Sequence, residues 1–252
     1  MNVISAVVLT KNEERNLPQC LESLKWCGEV ILIDDYSQDH TSEVGLTMGI
    51  VVYKRHLNNN FASQRNFGLE KAHGEWVLFI DADEIVTPAL SDEITLVTRK
   101  SDNLITGYLF KRSDLMWGRE LRYGESGNIK LLRLAKKTSG KWQRAVHEEW
   151  RVEKGEIGEL KNPLIHYPHQ TISEFIADID RYSTLHAQEL AKEGKSANIL
   201  KIMMWPKLKF IQNWVLRFGF LDGTAGFVVA FLMSFHSYLA WSKLWLTERR
   251  NT

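Results

Sequence analysis

Three short polar clusters early in the chain carry groups that can do chemistry: Asn12-Glu13, Asp34-Asp35 and Asp81-Ala82-Asp83-Glu84. Two carboxylates spaced Asp-x-Asp offer hard oxygen ligands to Mg²⁺ or Mn²⁺. Such ions keep several waters and take one or two protein carboxylates together with substrate phosphates. The metal would neutralise the charge that develops on a departing diphosphate. Taken alone, Asp-x-Asp also describes a solvated acidic turn. Here the lead-in Val77-Leu78-Phe79-Ile80 is wholly apolar, which makes the first acid partly buried and fixes its position.

Each cluster follows a run that reads as a strand. Residues 3–9 are almost all apolar, as expected of a strand buried on both faces of a parallel sheet. Asn16 is placed to cap a following helix with Pro18 at an early position and Leu17, Cys20, Leu21 and Leu24 at helical spacing. Residues 30–33 and 51–53 read as further strands, 41–48 and 61–72 as helices, and 76–80 as a fourth apolar strand. Strands alternating with helices at this interval predict a parallel, doubly wound sheet. The polar clusters then fall at its carboxyl edge, where ligands bind in open α/β sheets. Beyond residue 88 the pattern loosens. Residues 108–110 and 129–134 suit strands on either side of a Gly-rich stretch, and 172–194 suit an amphipathic helix.

At 252 residues the chain has room for one large α/β domain and an appendage. With 32 basic and 31 acidic residues it lacks the global positive field of a nucleic-acid binder. The balance is uneven, however. Residues 201–252 hold seven Lys/Arg against Asp222 and Glu248, a net +5, which leaves the remainder near −4. Cys20 and Cys27 are the only cysteines and make neither a disulfide framework nor a thiolate zinc site, so both are expected to be small buried apolar side chains. The first strand follows Met1 without a basic leader or a cleavage pattern, and the protein is expected in the cytoplasm.

These residues resemble family-2 glycosyltransferases, inverting enzymes with the GT-A fold. The resemblance covers about the first 150 residues and consists of four ordered matches. Thr10-Lys11-Asn12-Glu13-Glu14 is similar to the family's nucleotide loop after the first strand. Asp34-Asp35-Tyr36-Ser37-Gln38-Asp39-His40-Thr41 is similar to its Asp-Asp-x-Ser-x-Asp-x-Thr element, with Tyr36 where Gly is usual. Ala62-Ser63-Gln64-Arg65-Asn66-Phe67-Gly68 resembles the helix start facing the nucleotide, and Asp81-Ala82-Asp83-Glu84 the metal motif. The resemblance implies that Thr10, Asn12 and Glu13 line the base and ribose pocket and that Asp35 hydrogen-bonds the base. It also implies that Asp34, Gln64 and Ala82 border the nucleotide-sugar, that Asp81 meets the ribose, and that Asp83 holds Mn²⁺ or Mg²⁺ on the diphosphate. On the residues alone, Thr10 and Asn12 could equally cap the next helix. Asp39 reads as a turn former. Arg65 could pair either with the diphosphate or with one of the strand-end acids.

An inverting transfer needs one general base for the acceptor hydroxyl, on the side of the sugar away from the metal. Val146-His147-Glu148-Glu149-Trp150 is acidic and lies where the resembled family places its base; the lipopolysaccharide-core subgroup carries His-Glu at this point. Glu148 is assigned as base, with His147 orienting it or touching phosphate, and Glu149 as the alternative. His166 and His169 form a His-x-x-His pair, of which His166 is the candidate for a diphosphate or second metal contact.

From Met203 onward, aromatic and apolar residues interleave with Lys, and the longest uncharged stretch, residues 223–242, is 20 long. That is near the minimum for a membrane span, but Ser234, His236 and Ser237 lower its hydrophobicity. A basic, Trp-rich segment suits the headgroup region of an anionic leaflet, or a homo-oligomeric interface. The expectation is a mainly parallel GT-A sheet flanked by helices, over residues 1–170, and a helical extension over 171–252. Residues 1–90 would bind nucleotide and 91–170 would face the acceptor. The expected enzyme moves a hexose from a nucleotide-sugar, UDP-linked, to a lipid-linked or polysaccharide acceptor such as lipopolysaccharide core. It would work at the inner face of the cytoplasmic membrane, without nucleic acid. Two competitors are a sugar nucleotidyltransferase, which Thr10-Lys11-Asn12-Glu13-Glu14 disfavours by lacking glycine, and a non-catalytic membrane scaffold.

Overall fold

The computed structural model describes residues 4–99, 104–127, 129–144 and 148–250. The chain divides into two compact units, Met1–Arg112 with Ile129–His166, and Ser113–Asn128 with Tyr167–Thr252. In chain order the first unit begins β1 (Ile4–Thr10), α1 (Leu17–Ser23), β2 (Glu29–Asp34), α2 (Thr41–Thr47), β3 (Val51–Lys54) and α3 (Phe61–Lys71). It continues with β4 (Trp76–Asp81), β5 (Glu84–Ile85), α4 (Pro88–Arg99) and β6 (Ile105–Met116), whose end from Ser113 belongs to the second unit. After β7 (Arg119–Leu121), also in the second unit, come β8 (Lys130–Lys136), β9 (Gly140–Gln143), β10 (Glu149–Val152), β11 (Glu156–Glu159) and β12 (Leu164–His166).

The apolar runs become a parallel sheet in the order β3-β2-β1-β4, and β8 then β6 extend it antiparallel. β1 is central in the parallel half, which explains why Ala6, Val7 and Val8 are completely buried. Register fixes the ligand edge: Thr10 lies beside Asp34 and Leu9 beside Asp81, so the acidic ends of β2 and β4 flank the end of β1 on one border. Pro18 stands in the first turn of α1 as expected, but Asn16 makes no side-chain cap there. Its amide donates to Glu13 Oε2 at 2.8 Å, tying the loop to the helix start instead. α4 and β9–β12 lie in the stretch whose periodicity was weak. β9 and β10 pair into a separate two-stranded sheet, where Trp142 opposes Trp150, and both rings pack on Phe79 of β4 at 5.1 and 5.3 Å. Cys20 is fully buried and Cys27 partly so.

The second unit is mostly helical: α5 (Ile172–Lys192), α6 (Ile199–Ile211), a π-helical turn at Gln212–Leu216, a 3₁₀ turn at Gly219–Asp222, and α7 (Gly223–Arg250). α5 starts on a complete capping box between Thr171 and Glu174. Asp222 is buried and accepts the backbone N–H groups of Arg122 and Tyr123. That contact explains why residues 113–128 group with the helices, although their sequence position suggested the acceptor part of the catalytic domain. Lys243 of α7 donates to Asp180 Oδ1 and Ser183 Oγ of α5 at 2.7 and 2.9 Å.

α3 lies directly on β1 at Gly68, where an added Cβ would come within 2.3 Å of Val7 Cγ1. The glycine of the Arg65-Asn66-Phe67-Gly68 segment is thus a packing requirement. Gly68→Ala should lower stability by about 1–3 kcal/mol through overpacking, read as a lower denaturation midpoint with the slope unchanged.

Candidate active site

The turn between Asp34 and Thr41 is built around two carboxylates. Asp34 is fully buried and accepts from Ser37 N at 3.1 Å, from Ser42 Oγ at 2.9 Å and from Ser37 Oγ. Thr10 Oγ1 reaches the same carboxylate at 3.4 Å. Asp39 accepts from Thr41 N and Glu14 N, and this bonding to the ionised form outweighs burial and lowers its pKa. Asn12 does not cap α1. At φ +57° it donates its N–H to Ser37 Oγ and accepts from Gln38 N, locking the first loop to the second. Glu13 N likewise donates to Thr41 Oγ1 at 2.7 Å. Tyr36 takes φ +48°, the left-handed region that explains why glycine is usual there, and its ring stacks on His56 at 4.0 Å. Asp35 stands at the rim, accepting from Leu57 N and paired with Lys11 at 3.3 Å.

The second half of the site is a chain of ion pairs. Arg65, on the buried face of α3, donates Nε to Glu148 Oε1 and Nη2 to Asp81 Oδ1, both at 2.9 Å. Its guanidinium lies over Trp142, 4.8 Å from the ring centroid. Of the two roles open to Arg65, the structure shows the pairing with strand-end acids. Gln64 is nearly fully buried and exchanges hydrogen bonds with Arg55, at 2.6 Å to its guanidinium and 2.8 Å to its carbonyl. Arg133, from β8, donates Nη2 to the other oxygen of Asp81 at 2.5 Å and stands 3.7 Å from Glu84. Nothing in the sequence singled out Arg133. Its only signal is a cation inside the otherwise apolar run 131–134.

Asp81 is thus gripped by two guanidinium groups. Burial pushes its carboxyl up, but Arg133 and then Arg65 outweigh this and hold it well below the usual carboxylate range. Glu84 is completely buried beneath the turn and accepts Asp81 N at 2.9 Å. Burial raises its pKa despite Arg133, and neighbouring Asp81 adds to the rise. Arg65 Nη1, Arg133 Nε and Nη1 and Glu84 Oε1 are buried here without a hydrogen-bond partner among the described residues, an unusual concentration of unspent polar capacity. Ala82 is buried between the two acids. Asp83 faces His166, Oδ2 to Nε2 at 3.2 Å, because β12 runs antiparallel to β5 with His166 opposite Glu84. His169 lies in the second unit, stacked on Phe175 and paired with Asp178 at 3.2 Å. Glu149 points away on β10, exposed and paired with Arg144. His147 lies outside the described residues.

Acids at parallel strand ends of a mixed sheet thus meet one further carboxylate, Glu148, which a shared cation joins to them. The Glycosyl transferase family 2 profile matches residues 5–158. The chain belongs to that family, and its fold is the GT-A sheet with a C-terminal helical extension. It is 26% identical over 249 residues to the lipopolysaccharide core biosynthesis glycosyltransferase LpsC of Rhizobium meliloti (strain 1021), covering 96% of this chain and 92% of that one. An uncharacterized glycosyltransferase of Rickettsia typhi is 27% identical over 259 residues, covering 97% and 87% of the two chains. Residues 1–349 of S. aureus TarS, solved in complex with UDP-GlcNAc, superpose with a TM-score of 0.48 at 14% identity, covering 99% of this chain and 92% of that one. Membership of the family sets aside the nucleotidyltransferase alternative.

Arg133→Met would strip Asp81 and Glu84 of their shared cation and leave buried charge uncompensated, at a cost of about 3–5 kcal/mol. Arg133→Lys keeps the charge and should recover much of this, which urea denaturation of the two variants will measure.

Proposed function

We propose that the chain is an inverting hexosyltransferase using a nucleotide-sugar donor, UDP-linked, and a lipid-linked or polysaccharide acceptor such as lipopolysaccharide core, at the inner face of the cytoplasmic membrane. The observation that carries the reading is Glu148 fastened through Arg65 to Asp81. It sets a carboxylate from beyond β9 beside Asp81 at the strand end, and Asp83 pairs with His166. The resemblance to LpsC across nearly the whole chain supports the acceptor class.

In this reading Asp35, with Thr10, Asn12 and Glu13 on the adjoining loop, receives the base, and Asp81 receives the ribose. Asp34 and Gln64 shape those loops from within, and the buried Ala82 keeps the Asp81–Asp83 turn tight. Asp83 and His166 offer a carboxylate oxygen and an imidazole nitrogen at 3.2 Å. Such a pair fits Mn²⁺ or Mg²⁺ that takes its remaining ligands from water and diphosphate. Among the described residues no cluster of three or more such groups exists, so the donor itself would complete the coordination. When bound, the metal supplies charge neutralisation for the departing diphosphate.

Transfer forms a bond from the acceptor oxygen to the anomeric carbon as the bond to the diphosphate breaks, the leaving oxygen keeping the electron pair. Glu148 accepts the hydroxyl proton. Arg65 holds that carboxylate still, so little reorganisation is needed at the moment of reaction. Donor turnover with UDP-glucose and Mn²⁺ tests the class: no UDP binding and no metal-dependent turnover with any common nucleotide-sugar would overturn it. Asp83→Ala should abolish the metal-dependent turnover. Glu148→Gln should bind UDP normally while transfer falls by a factor of about 10²–10⁴; retained transfer moves the base elsewhere.

A further inference from the structure

The second unit carries an apolar surface that the transfer chemistry does not use. α6 has no buried residue, yet it is packed in place, with Trp205 stacked on Trp241 at 5.8 Å and Phe210 against Phe227 at 5.7 Å. Helical spacing puts Leu200, Met204, Leu208 and Ile211 on one face, and all four are exposed, Leu200 by 69%. The same character continues past the helix through Leu216, Phe218 and Leu221, and α7 adds Phe227, Phe231 and Phe235 at four-residue intervals. A soluble monomer rarely leaves contiguous apolar surface of this extent open.

The charge carried by this stretch of chain has one sign. Residues 199–221 contain Lys201, Lys207, Lys209 and Arg217 and no Asp or Glu. Glu125 takes Lys209 and Arg217 at 2.9 and 3.5 Å, which still leaves an excess of cations, with Lys207 exposed beside the apolar stripe.

We propose that this surface rests on an anionic lipid bilayer, with α6 lying flat in the headgroup region and α7 remaining on the same side. The inference rests on the membrane-face location proposed above and not on the donor chemistry. A symmetric pairing of two copies would set the patch against itself and bring like charges face to face, whereas anionic headgroups compensate them.

Among the described residues α7 belongs to the one helical stretch long and apolar enough to cross a membrane, but it is not free to do so. Its Ala225, Val229 and Leu232 pack with Phe175 and Ile179 of α5, and Lys243 is bonded to Asp180 and Ser183. Crossing would strip α7 from α5 or carry those polar groups into hydrocarbon.

The test is co-sedimentation of the full chain with phosphatidylcholine vesicles made with and without phosphatidylglycerol. The expected result is binding to the phosphatidylglycerol vesicles that weakens with salt and is released by alkaline carbonate. Lys207→Gln should weaken it about fivefold, and Met204→Asp with Leu208→Asp by at least about tenfold, both with UDP affinity unchanged. Binding that survives carbonate would overturn the proposal in favour of a span. Absence of binding to either vesicle would overturn it outright. Equal vesicle binding by the double variant, together with loss of an oligomer, would assign the face to a second copy. Vesicle binding without any UDP binding would leave this inference standing and remove the donor reading alone.

Discussion

The Arg65 guanidinium joins two carboxylates from distant parts of the sequence, Asp81 at the end of β4 and Glu148 before β10, and the site's arrangement depends on that junction. Arg133 takes the second oxygen of Asp81, so one carboxylate is shared between cations from a helix and from a strand. Buried guanidinium groups are costly to desolvate and are tolerated only when their partners are close and well aimed. Neither arginine can shift without exposing the carboxylates to uncompensated burial. The cluster therefore fixes α3, β4, β8 and the approach to β10 with respect to one another, and Trp142 closes it by lying under Arg65 and against Phe79.

The nucleotide side of the site follows a different logic. Its loops are stiffened by carboxylates and amides turned inward, Asp34, Asp39 and Asn12, bonded to backbone or hydroxyl groups of their own loop or of the neighbouring one. Asp35 stays at the rim with part of its side chain open. An aspartate pair in sequence thus divides its labour, the first member building the turn and the second facing outward. Tyr36 accepts a left-handed backbone between Asp35 and Ser37, a cost of about 1–2 kcal/mol for a residue with a Cβ, and its stacking on His56 offsets part of that.

The second unit is held by polar anchors at both ends of its helical array, Asp222 on the backbone of Arg122 and Tyr123, and Lys243 on α5. Between them the helices share apolar contacts but leave α6 largely uncovered. Packing thus consumes one side of the apolar sequence and leaves the other open, which is why high hydrophobicity here coexists with a folded helical array.

The sequence by itself determined the strand–helix alternation, the parallel half of the sheet and the strand ends at which Thr10, Asp34 and Asp81 would emerge. Local periodicity and apolar runs suffice for this because buried parallel strands must be almost wholly apolar. Ordered motif matches then implied the family. Tertiary structure alone decided which acids meet which cations. It turned Arg65 toward Asp81 and Glu148, brought Arg133 into the cluster, set His166 opposite Glu84 and beside Asp83, and sent His169 to the other unit. These pairings span tens of residues and depend on strand register and on which face of a helix is buried. A cation inside an apolar run, such as Arg133, has no local pattern that names its partner; only the register of β8 on β4 does.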